Sequence, residues 1–399
     1  MFDNHFIPKV KPGLKWSHEK ASEEMFDDLI ESNENVKKMF EDCELGDKDK
    51  CFIKKLMTGE KPNSEKEWKE VGREKNKPRF LFEIVANKIN GIDVDKWDYF
   101  ARDCRYLGIK SSFDHMRCIP LARVIKTKEE DLAEICYRDI AAGNIYDLFH
   151  TRLSIHKKAC QHKTVNAIEM MITEALEKAD KHLKIEGKEG ESTMSKAIDD
   201  MVAYTKLTDH VFYQILYSTK DELKEAKEIL QNIEQRKLYK FIGHTIPKDN
   251  PDKKGVPAMQ KEIFDIVKDK AKELKEDDIV VQLTSFKYGG KDDKDPVEKV
   301  RFYAKDNDKK SFKIKKEQVS RILPEVFFEK EIRVYCKERK QQTVKEMKTA
   351  FLEWCKHRGY EVENKLQEPR DPRTDQNPNG QVEEDDDLHD PDDPPPVAC

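Results

Sequence analysis

Asp95, Tyr99 and Asp103 recur at i, i+4 and i+8 within the run Asn90–Cys104 (NGIDVDKWDYFARDC). On a helix each such step turns the side chain by about 40°, so the three share one face, with Lys96 beside them. A carboxylate near the start of that helix can ligate a metal, and the lysine can take a phosphate. An exposed polar helix face explains the same residues. A second stripe, Arg152, His156 and Cys160, has the same spacing, and Lys157, Lys158, His162 and Lys163 ring its other sides. Three histidines and four Lys/Arg between Leu148 and Lys163 make an anion-binding candidate. A basic solvated face is the alternative. The two stretches are complementary, one suited to a metal and the other to phosphates. Cys160-Gln161-His162 is weak spacing for a thiol nucleophile, and the sequence has no P-loop, GxGxxG, HExxH or GxSxG.

These residues need helices to present them. The spacing predicts a loop over 1–16, then a helix capped by Ser17 or Ser22 and carrying Met25, Phe26, Leu29 and Ile30. A short helix over Cys51–Met57, a polar loop over Gly59–Lys77 and helices over Leu81–Ile89, Asp95–Cys104 and Lys128–Ala142 follow. The longest helical pattern runs from Asn144 to about Lys184, long enough to be bent or broken, and a Gly187–Gly190 loop ends it. Helices over Ser195–Tyr217 and Asp221–Tyr239 complete a part with no strand-rich unit. Pro247, Pro251, Gly255 and Pro257 mark a linker. Beyond a helix near Lys261–Leu274, strands are expected over Ile279–Phe286 and Val300–Ala304, joined through Gly289-Gly290. Phe312–Ile314 and Ile332–Cys336 add short strands, and Thr343–Lys356 a last helix.

The chain has 399 residues, 37% apolar and 39% charged, with a mean hydropathy of −0.87. That is a charged surface over a modest core, and it argues against a sandwich or barrel. No run approaches the ~20 apolar residues that span a bilayer. Met1–Val10 lacks the apolar core of a signal peptide. Nine scattered cysteines without a CxxC read as reduced intracellular thiols. The net charge of −5 conceals an acidic tail: 361–399 holds seven of the 17 prolines and the run Glu383–Asp387. Such a segment cannot bury enough apolar surface to fold, so disorder is expected there. The remainder is mildly basic, which suits polyanions such as nucleotides or nucleic acid; a salt-bridge-laced solvated surface explains the same balance.

The two stretches Asn90–Cys104 and Gly143–Lys163 (GNIYDLFHTRLSIHKKACQHK), together with FIPKVKPGLKWSHE at 6–19 and AIDDMVAYTKLTD at 197–209, resemble the SAM-and-HD-domain-containing deoxynucleoside triphosphate triphosphohydrolases. The resemblance runs from Met1 to about Gly359. It implies a mainly α fold: an HD-type phosphohydrolase domain over 1–245, a linker over 246–260, a small α+β regulatory or oligomerisation lobe over 261–360, and the acidic tail. HD enzymes hold their metal with a His, an adjacent His-Asp pair and a distant Asp, leaving positions open for water and phosphate. Only the last has a counterpart here, Asp95. His389-Asp390, the single His-Asp dipeptide, falls among the tail prolines and reads as coincidence. The resemblance therefore implies the C-terminal part of such an enzyme, beginning at an internal methionine, without the SAM domain and the start of the HD domain.

The resemblance assigns roles residue by residue. His18 would protonate the leaving oxygen, with Asp3 orienting its ring. Lys96, Arg152 and His156 would hold the triphosphate. Tyr99 would pack against the sugar, Asp103 would bond the 3′-hydroxyl, and Gln161 would lie beside the sugar. Cys160 stands where the family has a tyrosine flanking sugar and phosphates, which implies a looser substrate fit. Arg117, Arg138, Asn144, Lys158, Lys163 and Lys305 match contacts to effector phosphates or sugars. Arg236 and Lys240 match contacts from a neighbouring subunit to a guanine nucleotide. Ile140 replaces an expected lysine and Lys158 an arginine, which keeps the charge but loses the bidentate fork.

The implied reaction is conversion of a dNTP and water to a deoxynucleoside and triphosphate. The implied cofactors are a divalent ion of the Zn, Fe or Mn type at the HD site, Mg with the nucleotides, and GTP and dNTP effectors. Homotetramer assembly and a nuclear or cytoplasmic location are implied as well. With three of four metal ligands missing, no turnover is expected from this chain alone. The alternative is a non-catalytic module that binds nucleotides or single-stranded nucleic acid, or joins full-length subunits.

Overall fold

The computed structural model describes residues 2–74, 79–126, 133–289 and 294–362. Met1–Glu361 form one compact unit; of the second, Val362–Cys399, only Val362 is described, so the expected disorder of the tail lies outside the described residues. The fold is mainly α with small sheets, as the sequence implied.

Asp93 caps the helix Val94–Tyr106, its carboxylate accepting the Lys96 backbone N–H at 3.2 Å. Ser17 caps His18–Ser32 in the same way, at 3.3 Å from the Lys20 N–H. The long pattern after Asn144 is indeed broken. Ala142–Ile155 runs into a π-helical turn, His156–Cys160, and a new helix, Lys163–Ala179, begins after Gln161 with His162 as its N-cap. Ile145, Leu148, Phe149 and Ile155 point from the first of these helices into a core shared with Ile92, Phe100 and Phe302. That core seats Val94–Tyr106 against Ala142–Ile155. A second core joins Phe6 and Ile7 to Leu176, Leu183, Ile198 and Leu230.

The strands are β1 (Ala122–Lys126), β2 (Ala133–Arg138), β3 (Lys184–Gly187), β4 (Gly190–Thr193), β5 (Lys240–Thr245), β6 (Ile279–Lys287), β7 (Arg301–Ala304), β8 (Asn307–Phe312) and β9 (Phe328–Cys336). They form sheets of order β1-β2-β7-β8, β3-β4 and β5-β9-β6. β2 runs parallel to β7, with Arg138 opposite Tyr303. Strands from both sides of 246–260 thus share sheets.

Several local expectations are corrected. Of the helix expected over Lys128–Ala142, the described part is β2 followed by a 3-10 turn, because pairing with β1 and β7 overrides the weak helical pattern. Gly143-Asn144 lies inside a helix instead of ending one. Gly187–Gly190 is the turn of the β3–β4 hairpin; Gly190 sits at φ +115, and a Cβ on Gly187 would strike the Asp200 carboxylate. The segment 1–16 contains π- and α-helical turns that bury Phe6 and Ile7. Leu81–Ile89 holds only the end of the 3-10 turn Arg79–Glu83. The polar loop after Gly59 contains the helix Glu65–Glu70, which buries Trp68. Ser195–Tyr217 is three short helices, and the helix after Asp221 ends at Glu234. The helix placed at Lys261–Leu274 spans Val256–Val267.

Candidate nucleotide site

The helix Val94–Tyr106 and the helix Ala142–Ile155 with its π-turn bring the two sequence stripes together. Burial pushes the Tyr99 phenol up to about 12; Asp95, Cys160 and Asp93 push the same way, and Arg152 opposes them. Burial and the nearby Asp103 carboxylate raise the Cys160 thiol, again opposed by Arg152. Burial, reinforced by Arg152, pushes His156 down to about 4, so its imidazole is neutral at pH 7. Tyr99, Asp103, Arg152, His156 and Cys160 are therefore electrostatic neighbours. The groups brought together are one fixed cation, the Asp103 carboxyl group, a neutral imidazole, a protonated phenol and a protonated thiol. The raised thiol speaks against a Cys160 nucleophile.

Arg152, Lys96 and the Gln161 backbone are each anchored. Arg152 donates to the Lys287 carbonyl at the end of β6. Lys96 Nζ lies 3.0 and 3.1 Å from the two oxygens of buried Asp93. The Gln161 carbonyl accepts from Arg333, while its buried Oε1 has no protein partner.

His18 and Asp3 meet directly, Nδ1 to Oδ2 at 2.7 Å, with Glu19 3.7 Å from the same nitrogen. Nδ1–H donates to Asp3, leaving Nε2 available. Among the described residues, Asp3, His18 and Glu19 are the one group of three His, Cys, Asp or Glu close enough to share an ion. Asp95 is exposed and belongs to no such group. The residues present therefore do not assemble the HD metal set.

The expected effector residues lie on several elements. Asn144 is buried, and its amide is committed: Oδ1 accepts the Asp114 N–H at 2.9 Å, and Nδ2 donates to the Asp114 carbonyl at 2.7 Å and to Cys118 Sγ at 3.2 Å. It thereby fixes the turn that presents exposed Arg117. Arg138 and Ile140 line an open hollow of about 650 Å³ with Phe312, Gln318 and Val319. The β2–β7 register places Lys305, two residues past Tyr303, near the Arg138 end of β2. Lys163 Nζ lies 5.5 Å from the Phe241 ring on β5, where Lys240 is the first residue. Arg236 is exposed at φ +55, and Lys158 is exposed on the π-turn.

The sequence reading missed Arg333, Tyr335 and Glu83. Arg333 is a lone cation inside the apolar run Ile332–Cys336, and Glu83 follows Phe80-Leu81-Phe82. A charge inside an apolar run is the signal that marks both.

The fold is mainly helical with small sheets, and the two stripes lie on helices packed against each other. No family model matches the chain. The chain is 46% identical over 377 residues to the deoxynucleoside triphosphate triphosphohydrolase SAMHD1 of Xenopus laevis, covering 90% of this chain and 59% of that protein. The Homo sapiens protein of the same name is 44% identical over 374 residues, covering 90% and 58%. The Dictyostelium discoideum homologue is 34% identical over 287 residues, covering 72% and 52%. The chain belongs to this family of deoxynucleoside triphosphate triphosphohydrolases. It spans about three fifths of the length of the first two of these relatives.

Proposed function

We propose that the chain carries the nucleotide-recognising part of an enzyme that converts a dNTP and water to a deoxynucleoside and triphosphate. The observation that carries this reading is the convergence of Tyr99, Asp103, Arg152, His156 and Cys160 between two helices. Arg152 and Lys96 take phosphate oxygens, and neutral His156 donates one hydrogen bond to them. Tyr99 packs where a 2′-hydroxyl would sit, Asp103 accepts from the 3′-hydroxyl, and Gln161 lies beside the sugar. Cys160 leaves this pocket less filled than a tyrosine would. His18, oriented by Asp3, delivers a proton from Nε2 to the leaving oxygen.

Family chemistry uses a divalent ion at Asp95. A single exposed carboxylate is a weak site, so turnover by these 399 residues alone is not expected. In the same reading Arg138, Lys158, Lys163, Lys305 and Arg117 meet effector phosphates, Asn144 acts by fixing the Arg117 turn, and Arg236 and Lys240 reach a guanine nucleotide on a neighbouring subunit of a homotetramer. The lobe over 261–360 is its regulatory part. The solitary Asp95 also favours a second reading, a non-catalytic nucleotide-binding module.

The test is dGTP binding by the purified chain, followed by triphosphate release with Mn²⁺, Mg²⁺ and GTP. Saturable binding without release is expected. Absence of binding sinks the nucleotide-site reading. Release abolished by Asp95→Ala refutes the expected inactivity.

A further inference from the structure

One face of β9 runs along the break between the helices Ala142–Ile155 and Lys163–Ala179. Alternate residues of a strand point the same way, and here the alternation is spent on that break. Glu329 pairs with Lys157 at 2.9 Å. Glu331 Oε2 accepts from Arg333 Nε at 3.0 Å and from the terminal NH2 nitrogen at 2.7 Å. The other terminal nitrogen of Arg333 donates to the Gln161 carbonyl and, at 2.6 Å, to Asn166 Oδ1. The Tyr335 hydroxyl donates to the Lys163 carbonyl at 3.0 Å. Just past the strand, Lys337 pairs with Glu174 at 2.8 Å.

Arg333 is the centre of this row. It is 6% exposed, and its guanidinium lies 5.5 Å from the Phe286 ring on β6. A buried ion pair adds little net stability, because desolvation offsets most of its attraction. Its directional bonds set a geometry instead. The Gln161 carbonyl sits where the helix stops and has no helical N–H to meet; the planar fork supplies the donor and spans to Asn166 in the next helix. Lysine keeps the charge but not the fork.

We propose that Arg333 is a positioning residue for nucleotide recognition: by holding the Gln161 carbonyl and the Asn166 amide together, it fixes the turn that presents Cys160, Gln161 and Lys163. This rests on the nucleotide reading above for its ligand, but not for its geometry. β9, a strand from the part of the chain beyond 246–260, thereby governs the turn that follows the helix Ala142–Ile155.

The experiment compares the full 399-residue chain with Arg333→Lys, Arg333→Met and Tyr335→Phe. Amide hydrogen exchange over 156–166 is the first readout and needs no nucleotide. Both Arg333 variants are expected to exchange at least tenfold faster there while 259–267 and 343–355 keep wild-type protection, with Tyr335→Phe showing a smaller local change. The second readout is dGTP affinity, expected to weaken by about tenfold for each Arg333 variant, because the turn that presents Cys160, Gln161 and Lys163 is no longer pre-organised. Unchanged exchange over 156–166 in Arg333→Lys overturns the proposal, as does a uniform rise across the chain, which marks a purely global destabilisation. Accelerated local exchange with wild-type affinity overturns the recognition role. If the wild-type chain binds no dGTP, the nucleotide reading has failed and with it the recognition role, while the exchange result still decides whether Arg333 fixes the turn.

Discussion

Lys96 Nζ faces both carboxylate oxygens of Asp93, at 3.0 and 3.1 Å. The lysine matched to a phosphate contact is thus also the counterion of a buried helix cap. Asp93 further accepts the Asn87 N–H at 2.9 Å. Lys96→Met is expected to cost about 1–3 kcal/mol of stability, because a buried carboxylate loses its cation. Urea unfolding of Lys96→Met, Asp93→Asn and the double variant checks this. Strictly additive losses would show that the pair does not interact.

Asp95 behaves differently. It is exposed on the first turn of the same helix, so Asp95→Asn is expected to change stability by less than about 0.5 kcal/mol. In a longer chain that also supplies the His and the His-Asp pair, the same substitution is expected to abolish turnover. A large loss of stability in the short chain would make Asp95 structural.

The helical stripes are legible because their spacing is local: Asp95, Tyr99 and Asp103 do share a face, and the break after Cys160 falls within the pattern that is long enough to be bent or broken. What was not legible depends on distant partners. β2 is held between β1 and β7, and β7 lies more than 160 residues later. Arg333 reads as an oddity in an apolar strand until the Gln161 carbonyl is placed against it. Over 1–16 Pro8, Pro12 and Gly13 dominate the local signal and spell a loop, whereas burial of Phe6 and Ile7 decides the outcome.

Glu83 is buried against β2. Its Oε2 accepts the Ile135 N–H at 3.0 Å, and its buried Oε1 has no protein partner. Burial pushes the carboxyl up to about 7, with neighbouring Glu134 adding to the rise and the Ile135 N–H, Arg79 and Lys61 opposing it. A carboxyl whose folded pKa is raised binds its proton more tightly in the native state. Its contribution is complete below about pH 4.5 and is lost as pH rises to 7. Glu83→Gln, which keeps the acceptor, is expected to raise stability at pH 8 by about 1–3 kcal/mol and to change little at pH 4. Chemical denaturation at the two values decides it; equal effects at both would remove Glu83 from the pH response.

His156 contributes a slope of the opposite sign. Its folded pKa of about 4 lies below the model-peptide value of 6.5, so the unfolded chain binds the extra proton between these limits. Stability rises with pH across that window, by at most about 3 kcal/mol, and is complete above pH 6.5. His156→Gln is expected to flatten this part of the profile. An unchanged slope in the variant would show that the imidazole titrates alike in both states.

The C-terminal edge of the described fold gives the last prediction. The resemblance to the family runs to about Gly359, yet the next two residues are built into the body. Tyr360 is 8% exposed, its ring packs edge-on against Trp354 at 5.5 Å, and its hydroxyl donates to Asp249 at 2.7 Å. The Glu361 carbonyl accepts from Thr245 Oγ1 at 2.6 Å, and Glu361 bridges to Ile246 just after β5. Ending the chain after Gly359 removes a buried aromatic and leaves the Thr245 hydroxyl, itself 1% exposed, without that acceptor. The expected loss is about 3–5 kcal/mol for the ring alone, enough to lower Tm by several degrees. Ending it after Val362 keeps all of these contacts, so the two truncations, three residues apart, are expected to differ sharply in thermal unfolding. Equal melting temperatures would show that Tyr360 and Glu361 contribute nothing to the body, and the boundary would then fall at Gly359.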